Sequence, residues 1–106
     1  MSDDEIIQGI RQPGRFDAAA ASESEARRLV RAAMPDAVEL PRALAGQPYA
    51  GPPSGVRKWF QVHPSEPSVG NDRPHVKYAD WTGGKKGRGG RWGHIEFPPE
   101  QPAPGA

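Results

Sequence analysis

Three histidines, His63, His75 and His94, lie within 32 residues of one another in a chain of 106, and imidazoles in company support two kinds of chemistry. In RNA cleavage without a metal, one imidazole takes the proton of a ribose 2′-OH. A second group protonates the departing 5′-oxygen, and a cation stabilises charge on the phosphorus oxygens. Histidine suits both proton-transfer roles because its ordinary pKa lies near neutrality. His94, His63 and His75 are therefore the candidate acid and base, in an order that the sequence leaves open, and Lys77 or a cation of the glycine-rich loop is the candidate stabilising charge. The other chemistry is metal binding, since imidazole is a common transition-metal ligand. The gaps of 12 residues from His63 to His75 and 19 to His94 match no familiar ligand spacing, so the leading reading assigns no metal and no cofactor.

These residues need a surface to hold them, and alternation supplies one. Read as three strands, the segment 56–97 sends Val56, Phe60, Val62, Val76, Tyr78, Ile95 and Phe97 to one face. Trp59, Gln61, His63, His75, Lys77, Trp92, His94 and Glu96 go to the other. One face is apolar in each strand and the opposite face collects the reactive groups. Each group also has a plainer use. His63 precedes Pro64 and closes a strand, His75 follows Pro74 at an edge position, and Lys77 is an ordinary solvated sheet residue. Glu96 either orients a histidine or is simply exposed. Asp80 caps the turn at Trp81-Thr82.

The apolar face needs a cover. Ser2 and Glu5 have capping-box spacing ahead of Ile6, Ile7 and Ile10, which predicts a short helix ending before Pro13-Gly14. Ser22 and Glu25 repeat the signature, and Ala26, Leu29, Val30, Ala33 and Met34 follow at helical intervals up to Pro35. The expected fold is α+β, with one or two N-terminal helices packed on one face of a twisted three- to four-stranded antiparallel sheet. Residues 1–34 form the helical part, 35–55 a Pro/Gly-rich connector with at most a short strand near 37–40, and 56–98 the sheet part of one small domain. Residues 99–106 are expected to be a disordered tail.

Composition bounds the function. The 35% apolar content and 13 Pro plus 13 Gly predict a modest core and long loops. The absence of cysteine excludes disulfides, thiolate metal sites and a zinc base deaminase with paired Cys ligands. No apolar run approaches the roughly 18 residues of a membrane span, and the acidic start is unlike a signal peptide, so a soluble chain is expected. Net charge is +1 but unevenly spread: residues 1–45 carry six Arg against eight acids, and residues 46–97 carry eight Lys or Arg against four. The basic half is the half with the histidines, which favours a polyanion such as RNA. The loop TGGKKGRGG and the residue after it offer Lys85, Lys86, Arg88 and Arg91 to phosphates, without the pattern of a nucleotide-triphosphate loop. Trp59 and Trp92 are candidates for stacking bases, whereas Trp81 reads as structural.

The strings KWFQVHP, VKYADW, GKKGRGG and RWGHIEF, within the second half of the chain, resemble the C-terminal toxin modules of bacterial polymorphic toxin systems. That resemblance implies a ribonuclease-type effector acting on tRNA or other cellular RNA, and a fold of N-terminal helices on an antiparallel sheet. His63, Lys77 and His94 fall within the matching strings. It further implies an acidic immunity protein as partner, and secretion or delivery into a target cell. A non-catalytic nucleic-acid-binding module, a metal-dependent nuclease, a protein-interaction domain and a DNA substrate all stay open at this point.

Overall fold

The computed structural model describes residues 1–99, and the proposed tail from residue 100 onward lies outside the described residues. Helix α1 spans Asp3–Arg11, and its capping box closes in both directions: Glu5 N–H donates to Ser2 Oγ, and Ser2 N–H donates to the Glu5 carboxylate. Helix α2 spans Glu23–Ala33 behind the Ser22 cap. Here only half of the box forms, because the Glu25 carboxylate turns to Arg28 instead.

Between the helices runs a strand that the sequence reading lacks, β1 (Gly14–Ala19). The remaining strands are β2 (Val38–Glu39), β3 (Lys58–His63), β4 (His75–Asp80) and β5 (Arg91–Glu96). They form one sheet in the order β1-β5-β4-β3-β2. The central three strands are antiparallel as expected, but both edge strands run parallel to their neighbours, β1 to β5 and β2 to β3. The architecture is α+β, and the expected three- to four-stranded antiparallel sheet is corrected to a five-stranded mixed one. The reason is connectivity: β1 is fed in from the helical half of the chain, where alternation in GRFDAA rests on a single large apolar residue, Phe16.

Helices α1 and α2 cover one face. Ile6, Ile10, Ala26, Leu29, Val30, Ala33 and Met34 pack against Phe60, Val62, Val76, Tyr78, Ile95 and Phe97 in one buried cluster. Every apolar position that the helical and strand periodicities single out for this face, apart from Ile7 and Val56, is buried there. Gly93 has no side chain on this face because none fits. A Cβ there would collide with the Phe16 carbonyl of β1, the oxygen to which Tyr78 Oη also donates at 3.1 Å.

The connector does not lie idle. Leu40 N–H and Ala43 N–H donate to the carbonyls of Phe60 and Val62 beyond β2, so the chain continues along β3. It then crosses onto the other face, where Leu40, Trp59 and Ala79 form a second small apolar cluster flanked by Val56 and Trp81.

Candidate functional site

Cross-strand register decides what stands beside what on the face opposite the helices. His63 pairs with His75 and His75 with Glu96; Gln61 pairs with Lys77, Lys77 with His94, and His94 with Asp17. Side chains on one face of paired strands are neighbours, and the three imidazoles form a row. Ring centroids are 5.4 Å apart for His63–His75 and 4.9 Å for His75–His94. Strand alternation puts these three on one face, and the cross-strand register brings them into contact.

The row is not uniformly open. His63 and His75 are only 5% and 1% exposed, whereas the His94 side chain keeps 23% of its surface. The cover at the buried end comes from two segments. Tyr49 of the connector sets its ring edge-on to His63 at 4.6 Å between centroids. The connection from β3 to β4 folds back through a two-way backbone bridge between Glu66 and Asn71, around a single 3-10 turn at Pro67–Val69. That turn ends on Gly70, whose φ of 86° lies where glycine is favoured. The bridge directs Glu66 Oε1 to 3.2 Å from both His63 Nδ1 and His75 Nε2.

The buried histidines are fixed from behind. His75 Nδ1 lies 3.0 Å from the Arg73 carbonyl, which can only accept, so Nδ1 donates. Gln61 Nε2 donates to the carbonyls of Pro41 and Ala50 at 2.8 and 2.9 Å, which sets the orientation of that amide. Its Oε1 therefore faces His63 Nε2 at 2.7 Å, and that nitrogen carries the proton. Burial lowers the His63 pKa, outweighing the neighbouring Glu66. Desolvation and Glu66 together raise the pKa of Tyr49.

At the open end, Asp17 of β1 reaches across to His94. Its Oδ1 accepts from His94 N at 3.0 Å and lies 3.3 Å from Nδ1, while Oδ2 accepts from Arg15 Nε at 2.8 Å. With Nδ1–H donating to the carboxylate, Nε2 holds the lone pair. Burial, with His75 nearby, lowers the His94 pKa despite Asp17, so neutral pH finds a base rather than a cation. A cavity of about 440 Å³ opens here, lined by Arg15, Asp17, Asn71, His94 and Glu96 among others.

Of the other predicted site residues, Lys77, Trp59, Trp92 and Glu96 share this face, while Lys85, Lys86 and Arg88 lie on the β4–β5 loop and Arg91 follows it. Lys77 directs its ammonium toward the Trp59 ring, 5.9 Å from the centroid. Trp59 itself is only 8% exposed and packs in the second cluster, so it offers little surface to a base. Trp92 is partly exposed, 6.0 Å from Trp81 and 5.5 Å from the Lys86 ammonium. Lys85, Lys86 and Arg88 are exposed on the loop between β4 and β5, and the first two line a groove of about 570 Å³ with Trp81. Arg91 is set back beside buried Asp80, Nη1 to Oδ2 at 3.5 Å. Asp80 both ends β4 and caps the turn, accepting from Thr82 N–H. Glu96 is exposed on the rim of the His94 cavity.

Four residues of this face escaped the sequence reading as site candidates: Arg15, Asp17, Tyr49 and Glu66. Only Glu66 carries a local signal, since it stands three residues after His63 on a turn bounded by prolines. No family model, curated protein or solved structure matches this chain.

Proposed function

We propose that the chain is an endoribonuclease that cleaves cellular RNA by general acid–base chemistry, without a metal in the reacting position, at the His94 cavity. The carrying observation is the Asp17–His94 pair, an accessible imidazole held by a carboxylate at the mouth of a cavity that also presents Arg15. His94 Nε2 takes the 2′-OH proton, O2′ attacks phosphorus, and the bond to O5′ breaks. The Lys77 ammonium, in register with His94, swings from the Trp59 ring to give a proton to the departing O5′, and His94 and Lys77 return to their starting states by proton exchange with water. Arg15 stabilises the phosphorus oxygens. His63 and His75, with both ring nitrogens engaged or buried, support the site and do not touch substrate on this reading.

The strip from Lys86 over Trp92 to His94 supports binding of a single strand. Trp92 and His94 are two residues apart on one strand face, about 7 Å, so a base stacked on the indole sets the neighbouring backbone near the imidazole. Following the resemblance to polymorphic toxin modules, we propose that the reaction serves as a toxin in bacterial competition, with an acidic immunity protein binding the basic face. The groove at Trp81, Lys85 and Lys86 favours one other reading, a binding module that does not cut.

Incubation of the purified chain with total RNA in EDTA, followed by end-group analysis, tests the proposal. Fragments with 2′,3′-cyclic phosphate ends are expected, with a loss of at least about 100-fold in a folded His94→Ala variant. Salt-sensitive RNA binding with no product would support the binding module. Cleavage lost in EDTA and restored by a metal, with the fold intact throughout, would move the chemistry to a metal. Growth of bacteria expressing the chain or His94→Ala tests the toxin role, since only the former should inhibit.

A further inference from the structure

We propose that His63, Glu66 and His75 bind one divalent transition-metal ion of the zinc type. His63 Nδ1, Glu66 Oε1 and His75 Nε2 converge, all within 4.8 Å of one another. The backing hydrogen bonds decide what these atoms are. His75 Nδ1 donates to Arg73 and His63 Nε2 donates to Gln61, so in the neutral imidazoles the two nitrogens facing Glu66 both present lone pairs. Three acceptors then crowd together within 4.8 Å, and none of the three supplies a hydrogen.

A cation resolves that conflict in a way a proton does not. His75 Nε2 is fully buried and, although 3.2 Å from Glu66 Oε1, is out of alignment for a hydrogen bond and has no other partner among the described residues. Ligands about 2.0–2.1 Å from a tetrahedral zinc stand roughly 3.3 Å apart. Both imidazole-to-Glu66 separations are 3.2 Å. Two nitrogens and one oxygen suit zinc or a neighbouring transition metal and disfavour calcium and magnesium, which take oxygen. Each imidazole is also held at its far nitrogen by an amide or carbonyl oxygen, the usual arrangement behind metal-bound histidine. His94 is not part of the set, because its Nδ1 faces Asp17. The ion fastens the connection between β3 and β4 to the end of the sheet, one imidazole away from the His94 cavity. The inference is independent of the RNA-cleavage reading.

The full chain, stripped by chelation and dialysed, is titrated with zinc alone against a chromophoric competitor, and cobalt(II) substitution is followed by visible absorption. One equivalent is expected, with cobalt bands of a four-coordinate site and a zinc-dependent rise in Tm. Glu66→Gln should weaken zinc at least about tenfold, while Glu96→Gln should not change it. Nitrogen-15 spectra of the histidines should shift at His63 Nδ1 and His75 Nε2 when zinc is added. The proposal is overturned by a folded chain with no saturable uptake, by equal affinity in Glu66→Gln, or by spectra that show both nitrogens protonated and unmoved by zinc. None of these readouts uses RNA, so failure of the cleavage reading leaves the test intact.

Discussion

Asp17 does for His94 what position on a sheet cannot do alone. Adjacent strands bring an imidazole near others, but a carboxylate on Nδ1 selects which nitrogen is left to act. Asp17→Asn keeps the shape and weakens that selection, because an amide can present either a donor or an acceptor. RNA cleavage is expected to fall by about 10- to 1000-fold, while the urea midpoint stays close to wild type since Asp17 is 45% exposed. Cleavage at the wild-type rate in the folded variant would remove Asp17 from the mechanism. The contrast with His63 and His75 is one of burial. Their neighbours hold them on every side, so substitutions there act on the fold before they act on any reaction.

At the scale of elements, β1 carries Arg15 and Asp17, two of the four site residues that the sequence reading passed over, and its contact with β5 depends on Gly93. Gly93→Ala sets a methyl group against the Phe16 carbonyl and close to Tyr78 Oη. A loss of about 1–3 kcal/mol is expected from overpacking. Cleavage should fall as well, since the displaced strand holds Asp17; a variant as stable and active as wild type would mean that β1 moves without cost.

Strand β2 and helix α2 meet through Glu39, which receives Arg27 and Arg31. Burial pushes the Glu39 pKa up, but the hydrogen bonds from the two arginines outweigh it, and the net shift is downward. A carboxylate with a depressed folded pKa binds its proton more weakly in the folded state. Its contribution is present above the unfolded value near 4.5 and is lost as pH falls through the folded one. Glu39→Gln is thus expected to cost no more than about 1 kcal/mol at pH 7, as the arginines are partly exposed and screened. The difference from wild type should shrink by pH 3 and in 1 M salt, which urea titrations at each condition would check; a constant difference would assign the effect to packing.

Across the whole molecule, charge is arranged so that the basic loop lies at one end of the face opposite the helices and the buried histidines at the other. On the proposed RNA-binding reading, a single strand running between them would neutralise phosphates at Lys85, Lys86 and Arg88. Replacing all three with Gln is expected to reduce the slope of log binding constant against log salt by about 2, at roughly 0.7 for each contact. Fluorescence anisotropy with a labelled RNA across a salt series measures this. An unchanged slope would take the loop out of the interface.

Patterns that repeat along the chain are legible in the amino-acid sequence by itself. The two helices announce themselves by their caps and by the stripe Ala26, Leu29, Val30, Ala33 and Met34. The face that carries the histidines follows from strict alternation in three strands. These signals are local: helix and strand periods are fixed by backbone geometry, and burial of one face selects them. What the fold alone decided is non-local. Asp17 stands 77 residues before His94, and β1 pairs with β5 in parallel across that distance. Tyr49 meets His63, and the Gln61 amide is turned to face it, only because a proline-rich connector folds over the sheet. Glu66 turns toward His63 and His75 because the bridge to Asn71 closes its loop. No periodicity records such contacts, since each depends on where two distant segments end up in space, and they separate one accessible imidazole from two that are buried.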